Sequence, residues 1–593
     1  MQLRHRATTV TLAACVVALV IVAGMSTVGR SVAIHDVLVE TGVSTKMRDG
    51  VELVSDIYRP IDNGKFPVML QRTPYDRREG APFWRDFAAH GYIVIVQDVR
   101  GRFGSSGEFY PFKHESDDGY DSVEWAAGLP YSNGKVGMWG GSYVGATQML
   151  AATAKPPHLV AIYPYVTASE YYDGWTYQSG VFLQWFASSW STILAEDTLQ
   201  RAARLREQPT TWVKQLPVEG YPVADLPPVD ALAPYYRDWV RHEQDDAYWK
   251  QWKLSDHYGE MTVKALHGAG WHDIFLKGSI ANYIGMRAKA ATPEARASQR
   301  LMIGPWAHAA TSMEGKIGDV TFGKSAFVNN ELVAREWADY TLKGERNEYA
   351  GGAPVRLFIM GENVWRDEQE FPLARTRETR YYLHAARGAA TAQGDGALST
   401  TTPADEPADH FLYEPDNPVP TIGGRLCCGT SLFPGPFDQR PNEARRDVLV
   451  FSTPPLAQAV EATGFVSVEL YAATSAADTD FTALLVDVDP SGYARFLTDG
   501  IVRAKYRHST TNPEPIVPGQ IEKYRIDLWA TGNLFQQGHR IRLYVSSSNF
   551  PRFNRNLNTG EPMAGSTRQV SATQTIYHDA AHPSALTLPV IPR

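Results

Sequence analysis

The sequence predicts an α/β core with a parallel sheet, split by a helical insertion and followed by an all-β domain. Strand-like apolar runs at 51–58, 66–71, 92–97, 136–139 and 159–163 alternate with helical patterns at 84–90 and 120–128, which is the signature of βαβ units. From about 170 to 258 the alternation stops, and long aromatic, amphipathic stretches at 185–203 and 235–252 replace it. After Gly351 only short β-type runs remain, at 355–360, 379–383, 447–451, 465–472, 481–488, 523–528 and 540–546. Turn residues separate them, as in a β-sandwich or jelly roll. The expected division is core from 37 to 169, cap from 170 to 258, core again from 259 to 350, and jelly roll from 351 to 593. The small, polar stretch 388–409 reads as a surface loop.

The string Gly140-Gly141-Ser142-Tyr143-Val144-Gly145 stands where the run 135–139 must turn into a helix. Small residues there let the chain reverse sharply and lift the Ser142 hydroxyl above the sheet edge, as a nucleophile elbow does. The second glycine comes one place later than in G-x-S-x-G, so a plain glycine-rich turn is the competing reading. Two further loops decide between them. The apolar run 263–266 leads to Asp273, and the run 301–303 leads through Gly304-Pro305-Trp306-Ala307 to His308. Ser142, Asp273 and His308 thus follow in the order Ser, Asp, His, each after a strand. A hydroxyl needs an imidazole to take its proton, and the imidazole needs a carboxylate to fix its tautomer and stabilise its cation. Taken singly, Asp273 reads as a cap carboxylate and His308 as a loop histidine; the ordered set reads as a catalytic triad.

The 593 residues are enough for two to four domains, and 44% hydrophobic with 21% charged residues is ordinary for a globular protein. A net charge of −8, without a basic cluster beyond the N-terminus, argues against a nucleic-acid partner. Arg4, His5 and Arg6 precede an apolar segment, 7–25. Residues 1–30 are expected to be a signal peptide or an uncleaved anchor, and either implies export. Leu12-Ala13-Ala14-Cys15 resembles a lipoprotein box, but the apolar run continues well past Cys15. The cysteines beyond the leader, Cys427 and Cys428, are adjacent and cannot close a long loop. Free thiols in a surface or interface loop are expected, unless the two form a vicinal ring. Asp98 and Arg100 read as an internal structural pair. His267 and His272, near Asp273, raise a metal site as the lesser reading; no metal and no cofactor are expected.

Several strings carry a resemblance: RTPYD (72–76), QDVRG (97–101), SSGEF (105–109), GGSYVGATQ (140–148), GWHD (270–273), GPWAH (304–308), DTDFTALLVDV (478–488) and VSSSNFPRFNRNLNTG (545–560). From about residue 37 onward the chain resembles the serine hydrolases related to cocaine esterase, X-Pro dipeptidyl-peptidase, α-amino acid ester hydrolase and glutaryl-7-aminocephalosporanic acid acylase. The resemblance implies an α/β-hydrolase core, a helical cap and a C-terminal jelly roll. It also implies an oxyanion hole made by the Tyr75 hydroxyl and the backbone N–H of Tyr143. A buried core tyrosine is the bland alternative for Tyr75. Trp175, Phe182, Trp271, Phe275 and Trp306, with Tyr171 and Tyr172, are expected to line an aromatic acyl pocket, some of them packing cap on core.

The expected activity is hydrolysis of an acyl ester or amide through an acyl-enzyme, on a small-molecule substrate. Dipeptidyl-peptidase or aminoacyl ester hydrolase activity is the alternative. No counterpart is visible of the extra N-terminal domain of the large X-Pro enzymes. Ile274, Phe275 and Leu276 are apolar where amino acid ester hydrolases place acidic residues for the substrate ammonium. Glu170 or Asp173 could replace that cluster; otherwise both are solvated loop charges. A carbohydrate- or surface-binding protein with an inert hydrolase domain is the reading from another class. Contact with a membrane is expected only through a retained leader, and assembly into a homo-oligomer is left open.

Overall fold

The structure is a computed structural model that describes residues 34–201, 223, 232–308, 312–429 and 431–593. The leader, residues 1–30, and much of the middle of the expected cap lie outside the described residues. No helix among the described residues is long and apolar enough to cross a membrane.

Ten strands form the first sheet: β1 Val37–Lys46, β2 Glu52–Pro60, β3 Phe66–Thr73, β4 Ile93–Asp98, β5 Ser132–Gly141, β6 Leu159–Tyr165, β7 Lys264–His272, β8 Arg300–Ala307, β9 Val355–Ile359 and β10 Val364–Glu368. Their spatial order is β1-β2-β4-β3-β5-β6-β7-β8-β9-β10. From β4 to β9 neighbouring strands run parallel. Helices α1 Ala81–Ala89, α2 Glu115–Ala127 and α3 Tyr143–Thr153 connect the first half. The cap supplies α4 Gln184–Arg201, α5 Pro234–Arg241 and α6 Ala247–Lys250; α7 Leu276–Lys289, α8 Pro293–Ala297 and α9 Asn330–Ala338 follow. The expected helical stretch 235–252 is broken in two, with the Asp246 side chain capping α6 by accepting from the Tyr248 N–H.

β3 lies between β4 and β5, so the chain leaves β3 toward one edge of the sheet and β5 toward the other. Such a reversal of strand order opens a crevice at the carboxyl ends of the strands. Tyr75 follows β3 and Ser142 follows β5.

Strand side chains alternate between the two faces of the sheet. Val68, Leu70, Ile93, Ile95, Val136 and Met138 face one way and pack with α2, α3 and the cap in one buried core. Met69, Val94, Val96, Trp139 and Ile303 face the other way, into a core shared with α1 and α9 that runs on into the C-terminal domain.

That domain is an eleven-stranded sheet arrangement, beginning at Arg377–His384 and ending at Ala585–Ile591. Two expectations need correction. The runs after Gly351 do not all belong to the β-domain: β9 pairs with β8 and β10 with β9, so the first sheet extends to Glu368. Parallel pairing of Leu301 with Val355 buries a strand that a separate domain would leave at an open edge. The stretch 388–409 is not wholly a surface loop, because it contains the strand Ala397–Ser399, whose Leu398 is buried.

Candidate active site

Ser142 occupies the sharp turn between β5 and α3. Its φ of 59° and ψ of −127° are unfavourable for a residue with a Cβ and are tolerated where surrounding structure enforces them. The two preceding glycines make the turn possible. Gly140 has φ 135°, and a Cβ there would meet Val144 at 2.3 Å; a Cβ at Gly141 would meet the Tyr165 ring at 2.3 Å. The Ser142 N–H is held by the Tyr165 carbonyl on β6 at 3.0 Å.

The other two candidates converge on this serine. Nε2 of His308 lies 3.0 Å from Ser142 Oγ, and Nδ1 lies 2.6 Å from Oδ2 of Asp273. Asp273 is fully buried, and its second oxygen accepts the backbone N–H of Phe275 at 2.7 Å. With a carboxylate on Nδ1, that nitrogen carries the proton, which leaves Nε2 free to accept from the serine hydroxyl.

Tyr75 sits beside the serine. Its hydroxyl accepts the indole N–H of Trp190 at 3.0 Å. Burial pushes the phenol's pKa up, and the contacts with Trp190 and Ser142 pull against that rise. Tyr75 therefore stays a neutral donor at physiological pH. Tyr143 is the first residue of α3, so its N–H has no acceptor within the helix. Its side chain is anchored away from the site: the hydroxyl donates to Glu115 at 2.9 Å and accepts the Phe112 N–H at 2.9 Å. Arg72 completes that buried network by pairing with Glu115 at 2.6 Å. A serine, a base, a carboxylate and two hydrogen-bond donors on one crevice are the parts required for acyl transfer.

The sequence model for X-Pro dipeptidyl-peptidase (S15 family) matches residues 49–310, and that for the X-Pro dipeptidyl-peptidase C-terminal non-catalytic domain matches 347–587. Cocaine esterase of Rhodococcus sp. (strain MB1 Bresler) is 38% identical over 94% of this chain and 99% of its own. The chain is a serine hydrolase of the S15 family. An aminopeptidase from a marine-sediment Thaumarchaeota archaeon superposes with a TM-score of 0.79 at 25% identity, covering 94% of this chain and 97% of that one. An α-amino acid ester hydrolase does so with a TM-score of 0.77 at 26% identity and the same coverage.

In this serine hydrolase the wall beside the triad comes from the cap and from the turn after β7. Phe275 stacks on Trp175 at 4.3 Å with an interplanar angle of 6°, and stands edge-on to His308 at 5.1 Å. Phe186 and Trp190 of α4 meet Trp175 at 5.4 and 5.7 Å. Neither α4 residue is among the pocket candidates taken from the sequence; the aromatic periodicity of 185–203 was the signal available. Three expected pocket residues lie elsewhere. Trp271 and Trp306 belong to the core on the opposite face of the sheet, where each indole N–H reaches a carbonyl at 2.7 Å, of Phe358 and Ala326 respectively. Phe182 lies in the seam between cap and β-domain: its backbone exchanges hydrogen bonds with Asn554 and its ring meets Tyr177 and Tyr236. Tyr171 stacks on Phe112 at 3.7 Å, packing cap on core, while Tyr172 stacks on Tyr177 at 4.8 Å within the cap.

The remaining charged candidates are engaged. Asp98 and Arg100 are structural but not a pair. Asp98 takes Arg77 at 2.5 Å, while Arg100 bridges Asp118 at 2.6 Å and Asp49 at 2.7 Å. Glu170 is not a solvated loop charge: Lys253 lies 3.4 Å from it and Ser255 donates at 3.1 Å. Asp173 pairs with Lys277 at 2.7 Å, and Lys277 also reaches Asp527 of the β-domain at 3.1 Å. His267 contacts Gln299 at 3.0 Å. His272 is buried, and burial, then the Arg425 and Arg495 charges, hold it far to the neutral side. Among the described residues no three His, Cys, Asp or Glu side chains form a metal-binding group. Cys427 and Cys428 are not free thiols but a vicinal disulfide, with Cys427 buried in the same core as Trp175 and Phe275.

Proposed function

We propose that the protein hydrolyses acyl esters through an acyl-enzyme on Ser142. His308 takes the proton of Oγ as it attacks the acyl carbon, and returns it to the leaving alcohol. Asp273 holds the tautomer and stabilises the imidazolium. The Tyr75 hydroxyl and the Tyr143 N–H receive the oxyanion, and water then repeats the sequence to release the acid. The observation that carries this reading is the unbroken chain from Asp273 through His308 to Ser142, with Tyr75 beside it. The similarity to cocaine esterase supports an ester as the bond cleaved. The aromatic wall of Trp175, Phe275, Phe186 and Trp190 supports an uncharged acyl group. Export is part of the proposal, supported by the basic-then-apolar leader.

The test is release of p-nitrophenol from short-chain and aryl acyl esters, with fluorophosphonate labelling mapped by mass spectrometry. Label on Ser142, and loss of both label and turnover in a folded Ser142→Ala variant, are expected. Turnover retained in that variant would refute the assignment, and a protein inert to every ester would point to a binding role instead.

A further inference from the structure

Trp190 of the cap reaches the candidate oxyanion hole. An indole N–H can only donate, so in its 3.0 Å contact with Tyr75 the phenol oxygen is the acceptor. The phenolic proton must then point elsewhere. We propose that Trp190 is a positioning residue of the oxyanion hole: by occupying an acceptor site on Tyr75 Oη, it turns the phenolic proton toward the oxygen that becomes negative on the acyl carbon. The inference rests on the role given to Tyr75 above.

The rest of the contact is built to hold that geometry. The Trp190 ring is buried, stacked on Tyr143 at 5.6 Å and on Trp239 at 6.0 Å, and met edge-on by Trp175. Arg102 ties the two partner segments together. Its Nε donates to the carbonyl of Pro74, the residue before Tyr75, at 3.0 Å, and its Nη1 donates to the carbonyl of Leu194, one turn beyond Trp190, at 2.7 Å. Asp197 on the same helix accepts the Phe103 N–H at 3.1 Å. The cap helix and the tyrosine loop are thus locked in register at the serine. Donation by Trp190 also works against the rise that burial imposes on the Tyr75 pKa, which makes the phenol a better donor to an anion. The hole is complete only when the cap is seated.

Trp190→Phe keeps a ring and removes the N–H. On p-nitrophenyl butyrate, kcat should fall about 5- to 10-fold, the worth of one neutral hydrogen bond, with KM changed less than about twofold. In a Tyr75→Phe background the same substitution should leave kcat unchanged, because the group it orients is gone. A tryptophan that only lines the pocket would raise KM and cost the same factor in both backgrounds, and that result would overturn the proposal. If Trp190→Phe does not fold, benzothienylalanine at position 190 keeps the indole shape without the N–H, and full activity there overturns it equally. An unaffected Tyr75→Phe enzyme would remove the oxyanion role and this inference with it. A strongly impaired Tyr75→Phe enzyme beside a normal Trp190→Phe enzyme would remove this inference alone.

Discussion

Phe275 serves Asp273 and the substrate wall at once: its backbone N–H donates to the carboxylate at 2.7 Å while its ring stacks on Trp175 at 4.3 Å. The carboxylate beside His308 and the aromatic wall proposed for the acyl group therefore share one turn of chain, so packing against an acyl group would be coupled to the orientation of His308.

Phe275→Leu keeps the backbone donor and removes the stacked ring. Loss of the aromatic pair should cost about 1 kcal/mol of stability, read as a drop of the thermal midpoint. The kcat/KM for an aryl acyl ester should fall about tenfold or more, as expected for a hydrophobic pocket contact, while the acetyl ester is hardly affected. Equal losses on both esters would place Phe275 in orientation of the triad alone.

Tyr75→Phe removes one hydroxyl and little volume. If Tyr75 donates to the oxyanion, kcat should fall by about 10²-fold or more with a smaller change in KM, because the contact strengthens only in the transition state. An unchanged kcat would return Tyr75 to the role of a packed core tyrosine.

Substrates with a free amine should be poor. Ile274, Phe275 and Leu276 are buried and apolar, and the two nearby carboxylates considered for an ammonium are already paired, Glu170 with Lys253 and Asp173 with Lys277. An ammonium desolvated there without a partner would cost several kcal/mol. The comparison is kcat/KM for a butyryl or phenyl ester against a phenylglycine ester and a glycyl-prolyl amide. A tenfold advantage for either amine would show that a cap carboxylate exchanges its lysine for substrate, and Glu170→Gln would then abolish that advantage.

The β-domain carries a pH-dependent contribution at His578. Burial opposes protonation of this imidazole, but hydrogen bonding to Asp409 at 3.0 Å and the charge of Glu406 outweigh it and raise its pKa. A raised pKa means that protonation is favoured by folding. The contribution is complete below the unfolded-state value of about 6.5 and is lost as pH rises through the folded value. The thermal midpoint of wild type minus that of His578→Gln should thus be larger at pH 6 than at pH 9. A difference that stays constant or grows with pH would show that His578 is neutral in the folded protein.

What the sequence determined by itself is what short-range chemistry writes locally. Period-two and helical patterns located the strands and the first helices, glycines at 140 and 141 marked a turn that no larger residue could make, and the order of Ser142, Asp273 and His308 after three strands followed from the connectivity of a parallel sheet. Tertiary structure decided what depends on which face a side chain takes and which distant segment it meets. Trp271 and Trp306 are near the triad along the chain but turn to the opposite face of the sheet, where carbonyls of Phe358 and Ala326 accept their N–H groups. Trp190 is far from Tyr75 along the chain, yet the cap lays it on that hydroxyl. The strands β9 and β10 resemble those of the β-domain in sequence and join the first sheet because β8 offers them an unpaired edge. Partner choice across long loops is set by burial and hydrogen-bond satisfaction in the folded chain, and no local pattern encodes it.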